Sequence, residues 1–146
     1  LLIHAAVIAV AYYSGSILPM LFMGPLPTMY GAWVHVLTGL TQHGGLAENV
    51  LDHRLNSRTV YMNPVLRFIY WNMNYHIEHH MFPMVPYHAL PELHKDLQPY
   101  LPRPSSGIID AYREIIPALW RQRKEPDWHI EPKLPAGVSP VTAATD

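Results

Sequence analysis

The sequence predicts an all-α protein: a transmembrane helical hairpin, then a cytosolic helical cap carrying a histidine-box helix, then an unpacked C-terminal tail. Three observations predict it. Residues 1 to 47 contain no Asp, Glu, Lys or Arg, whereas all 21 such residues lie in the remainder. His76, His79 and His80 fall within five residues at i, i+3, i+4 spacing. Residues 125 to 146 hold Pro126, Pro132, Pro135 and Pro140 among small and polar residues, a composition that does not build a core. The expected boundaries are 1–42 for the hairpin, its first helix truncated, 43–124 for the cap and 125–146 for the tail.

The first apolar segment, Leu1 to Tyr13, covers about 20 Å as a helix, against a hydrocarbon core of about 30 Å. The apolar run is already under way at Leu1, so the chain reads as the C-terminal part of a longer protein whose preceding residues complete that span. Ser14-Gly15-Ser16 supplies a tight turn. The second segment, Ile17 to Thr41, is uncharged and long enough to cross with tilt. Pro19, Pro25 and Pro27 would kink or partly break it, because backbone in a bilayer has no partner other than itself. Tyr12, Tyr13, Tyr30 and Trp33 suit either an interface or packing, and His35 suits packing or hydrogen bonding. A buried soluble helical pair is the rival reading of these two segments.

Gly44-Gly45 closes the second helix and leaves His43 at its edge. The following stretch, Leu46 to Thr59, is polar. Arg54 and Arg58 suggest a cytoplasmic flank, and Asp52-His53-Arg54 reads as a solvated or phosphate-facing loop in preference to a charged catalytic cluster. Asn63 caps a helix with Pro64 at its first position, and this helix is expected to run on through Trp71 and the histidines until Pro83. Shorter helices are expected from about Tyr87 to Leu97 and from Ser106 to Arg123, the latter interrupted by Pro117.

Composition narrows the function. A net charge of -1 with no basic stripe gives no footprint for nucleic acid. Without cysteine there is no disulfide, thiolate zinc site or iron–sulfur ligation. What remains is imidazole. At about 100° per residue His76, His79 and His80 share one side of one helical turn, and clustered neutral nitrogen donors favour iron, zinc, copper or nickel over magnesium or calcium. Asn72 lies one turn earlier on that face, where its amide could hold a water or orient an imidazole; Glu78 points the other way.

The run NYHIEHHMFPMVPYHALPELH resembles the third histidine box and following segment of the membrane fatty acid desaturase superfamily. GLTQHGGLAENVLDHRLNSRTVYMNPVLRFIYWNMNYHIEHH is most similar to its bacterial members, desaturases or rhizopine-catabolism-type hydrocarbon oxygenases, and the similarity spans about residues 1 to 100. The resemblance implies a di-iron centre on the cytosolic face of a bacterial inner-membrane enzyme. With dioxygen as co-substrate and electrons from a ferredoxin- or cytochrome-type donor, it would introduce a double bond into a fatty acyl chain. In that picture His76, His79 and His80 are iron ligands, and His43 is the extra ligand after the last transmembrane helix. The family's two earlier boxes do not occur in residues 1 to 42, so this part of the protein is expected to be inactive alone.

Two other classes compete with the desaturase and with a hydroxylase of the same superfamily. One is a non-enzymatic membrane protein closing a single zinc site with His43, His76, His79 and His80. The other is a structural protein whose histidine face packs on a partner helix without metal.

Overall fold

The computed structural model describes residues 2–142, with Tyr30 described in its backbone alone. The chain divides into two compact units between Leu37 and Thr38.

In the first unit, helix α1 (Leu2–Ser14) ends where Gly15 takes φ 63° and the N–H groups of Gly15 and Ser16 return to the carbonyls of Tyr12 and Ala11. Glycine carries that left-handed angle without steric cost. Helix α2 (Leu18–Met23) packs on α1, and helix α3 (Pro25–His43) follows after a break at Gly24. Apolar side chains here are largely turned outward: Leu2, Tyr12, Tyr13, Phe22, Met23, Met29 and Trp33 are all more than half exposed, and Ala11 is buried.

The expected transmembrane hairpin is corrected by these helices. Among the described residues no helix is long and apolar enough to cross a membrane. The physical reason lies in the punctuation. Pro25 has no N–H to offer the preceding turn, so the run from Ile17 to Thr41 splits at Gly24. The longer piece, α3, is then diluted by Thr28, Gly31, His35, Thr38, Gly39, Thr41 and Gln42.

The second unit begins with the last turn of α3. Arg58 secures that turn: its N–H donates to the Gln42 carbonyl at 2.8 Å, and its Nη1 donates to the carbonyls of Thr41 and Gly44 at 3.1 and 3.2 Å. A helix end has unpaired carbonyls, and a buried guanidinium satisfies them while complementing the dipole. Gly45, at φ 75°, lies so close to Ala118 that an added Cβ would stand 2.7 Å from the alanine methyl.

Residues 58 to 61 form an extended spine. Val60 N–H donates to the Asn74 carbonyl and the Asn74 amide returns a bond to Val60, both at 2.9 Å, while Ser105 pairs with the spine through the Thr59 carbonyl and the Tyr61 N–H. Helix α8 (Ile108–Gln122) lays Ala111, Ile115 and Ala118 against this region, and Val60, Ala111 and Ile115 form its apolar core with Met62 and Ile108 alongside. Burying one such Ile side chain contributes roughly 2 to 3 kcal/mol. Pro117 sits inside α8 without ending it.

Two further expectations change. The single helix from Pro64 through the histidines is two: α5 (Pro64–Ile69) and α6 (His76–Met81), separated by a turn in which Trp71 and Asn72 take φ 54° and 52°. The tail is tethered as far as it is described, although none of residues 125 to 142 is buried. Ile130 N–H donates to the Gly45 carbonyl at 2.8 Å, Arg121 lies over the Trp128 ring at 4.5 Å, and Val141 N–H donates to Asp52 at 2.9 Å. Residues 143 to 146 of that expected tail lie outside the described residues. Helix α4 (His53–Asn56) and helix α7 (Leu90–Leu97) complete the unit.

Candidate metal centre

Two chain segments bring three imidazoles together. His43 comes from the end of α3, fixed by Arg58, and His76 and His80 come from one face of α6. Their Nε2 atoms converge: His43 to His76 is 2.8 Å and His80 to His76 is 3.0 Å. One nitrogen from each of the three lies within 4.8 Å of the others.

Hydrogen bonding alone does not account for that convergence. His43 Nδ1 is 2.8 Å from the Asn56 carbonyl, and a carbonyl can only accept, so Nδ1 carries the proton and Nε2 presents a lone pair. His76 Nε2 can hold at most one proton, yet it faces two other ring nitrogens. Two imidazole nitrogens sharing one first-row ion at about 2.1 Å stand about 3.0 to 3.4 Å apart, so small shifts of the rings would admit an ion between them. The Asn56 carbonyl does for His43 what partners of metal-bound histidines ordinarily do: it fixes tautomer and ring orientation. The donor set fits a first-row transition ion.

The electrostatics favour neutral rings. Burial, then the neighbouring imidazoles of His80, His43 and His79, push the His76 imidazole down to about 3. Burial, followed by His43, His53 and His79, also lowers His80. A proton competes poorly for these nitrogens at neutral pH, and the lone pairs stay available.

His79 stands beside this triad. Its ring centroid lies 5.9 Å from that of His76 and 5.8 Å from that of His80, and its Nδ1 is buried without a hydrogen-bond partner. Asn72 does not share a helical face with His76. It sits in the left-handed turn, accepting from Arg67 Nε at 3.2 Å and donating to the Tyr87 carbonyl at 3.1 Å. His53, which the sequence reading placed in a solvated or phosphate-facing loop in preference to a charged catalytic cluster, stacks its ring on His80 with centroids 5.1 Å apart and planes 24° apart. Asp52 and Arg54 on either side are a buried bidentate pair in place of a solvated loop. The available signal was Asp52 as a helix cap.

On the opposite side of α6 Glu78 is fully buried. Its Oε2 accepts from Thr59 Oγ1 at 2.6 Å and its Oε1 meets His94 Nδ1, whose other nitrogen lies 3.0 Å from the Tyr61 hydroxyl. This chain of contacts sets the rotation of α6 about its axis and so the direction of the histidines. A cleft of about 360 Å³, lined in part by Arg58, Thr59, Ile77 and Glu114, also lies on that far side.

The class these observations define is a helical protein in which three histidines from two chain segments could hold a metal ion. The fatty acid desaturase family model matches residues 1–111, and the chain belongs to that family. No curated protein and no solved structure matches it. Membership places the chain in a superfamily of desaturases and oxygenases, oxidoreductases of lipid metabolism that are generally membrane-associated, typically bind iron and take fatty acyl substrates.

Proposed function

We propose that the protein binds iron at His43, His76 and His80, with His79 adjoining, as part of a di-iron centre that desaturates a fatty acyl chain. The observation that carries this reading is the meeting of three Nε2 atoms from segments 33 residues apart in a chain of this family. In the overall reaction dioxygen accepts the two hydrogens of an acyl CH2–CH2 unit, together with two electrons delivered one at a time by a ferredoxin- or cytochrome-type donor and two protons from solvent. A C=C bond and two waters result. Bound iron supplies the oxidising power, which no side chain has. The protein's part is to hold neutral nitrogens in place and to fix their tautomers, as the Asn56 carbonyl does for His43. Asn72 holds the turn that leads into α6.

The exposed apolar side chains of the first unit support association with a lipid bilayer; a bacterial inner membrane, with the histidine site on its cytoplasmic face, is the setting the family resemblance suggests. Metal analysis of the protein purified from iron-supplemented cells tests the site. Iron bound in the native protein and lost in His76→Gln is expected; zinc bound in its place would favour the closed zinc-site alternative. Mass spectrometry of acyl lipids from cells expressing the whole gene then separates the chemistries. A double bond that depends on His80 supports desaturation, and a hydroxyl group in its place would assign a hydroxylase.

A further inference from the structure

Five histidine rings lie together in the second unit, and only four belong to α3 and α6. The fifth is His53, the first residue of α4. Its ring stacks on His80, and its Nδ1 is buried with no hydrogen-bond partner. A buried ring nitrogen without a partner is unfavourable whichever tautomer is present, because a lone pair or an N–H has been taken from water for nothing.

The short helix α4 is held to the histidine cluster from both ends. At its start Asp52 accepts from the Arg54 N–H at 3.0 Å and from Arg54 Nε and Nη2 at 2.9 and 2.7 Å. Arg54 is held in turn by the carbonyls of Tyr100 and Ser139. At its end the Asn56 carbonyl bonds His43 Nδ1. One four-residue helix thus orients His43 and places the His53 imidazole against His80. Isolated turns of this length have no stability of their own, so the anchoring belongs to what the helix presents.

We propose that His53 is a further metal-ligating residue, supplying an imidazole nitrogen on the His80 side of the cluster to a first-row transition ion. This rests on the metal-centre reading above. Three nitrogens, or four with His79, supply at most the lower end of the four or more donors such an ion takes, and among the described residues His53 is the imidazole outside α3 and α6 whose ring stacks on the set.

The test is titration of the full chain with Co(II), following visible absorption and metal content by mass spectrometry, in the native protein, His53→Ala, His53→Phe and His76→Gln. Phenylalanine keeps a ring for His80 to stack on but carries no donor. In both His53 variants the Co(II) affinity should fall at least about tenfold, or one ion per chain should be lost, with a changed absorption band and an unchanged melting temperature for His53→Phe. A native-like affinity, stoichiometry and band in His53→Phe would overturn the proposal and leave His53 a packing residue. In that outcome the loss of binding in His76→Gln keeps the metal centre intact as a reading. Failure of the native protein to bind Co(II) overturns both.

Discussion

On the back of α6, Glu78 and Ile77 are almost entirely buried, and each carboxylate oxygen of Glu78 has a partner. On the front of the same helix, His76 is nearly as buried, yet its Nδ1 and that of His79 are unpartnered while three Nε2 atoms crowd together. A helix of six residues carries both faces. The back is solved by the protein's own groups. The front leaves lone pairs converging without enough protons to pair them, an arrangement that a cation between them would relieve. The difference separates residues that make the fold from residues that the fold holds ready.

The largest test of that division is Glu78→Leu. It removes the acceptor for Thr59 and His94 and leaves both buried, so a loss of about 3 to 4 kcal/mol is expected in urea unfolding with chelator present. Glu78→Gln keeps an acceptor oxygen and should recover part of it. A loss below about 1 kcal/mol for the leucine variant would show that the back face is not held by this network. Next in size is Ile77→Ala, which empties a side chain only 1% exposed and should cost about 2 to 3 kcal/mol in the same measurement.

Asn72→Ala should cost less, about 1 to 2 kcal/mol. It loses the bonds to Arg67 and Tyr87 and puts alanine at φ 52°, where asparagine is better tolerated. Co(II) affinity should change by less than about tenfold, the lower end of what partners of metal ligands contribute. A greater fall would give Asn72 the role beside the metal that its position in the sequence suggested.

How much could be read from the sequence follows from how local each feature is. The convergence of His76 and His80 was legible because it is one turn of helix. His43 was legible only through resemblance, since its meeting with His76 depends on Arg58 capping α3 and on the Asn56 carbonyl. The break before α6 was not legible. Trp71 in a left-handed conformation runs against its steric preference, and surrounding bonds, such as Asn72 N–H to the Arg67 carbonyl, impose it. Glu78 was seen to point away, but its partners Thr59 and His94 lie 19 and 16 residues off. The hairpin was over-read because lack of charge was weighted above Gly24 and Pro25. The tail's tethers were not legible because they pair its backbone N–H groups with Gly45 and Asp52 and its Trp128 ring with Arg121, which composition does not show.

The smallest expected change in stability comes with the largest change in binding. His76→Gln removes the ring at the centre of the triad, so bound Co(II) or iron should be lost entirely. In chelator, however, the fold should lose less than about 1 kcal/mol, because the ring it removes already leaves Nδ1 unpaired and crowds two other nitrogens. Urea unfolding of the two proteins, each with chelator and with Co(II), separates the terms. The native protein should gain stability with Co(II) through its preference for the folded state, and the variant should gain none. If His76→Gln instead cost as much as Ile77→Ala without metal, the front of α6 would be core like the back. The crowded nitrogens would then be a packing arrangement and not a site.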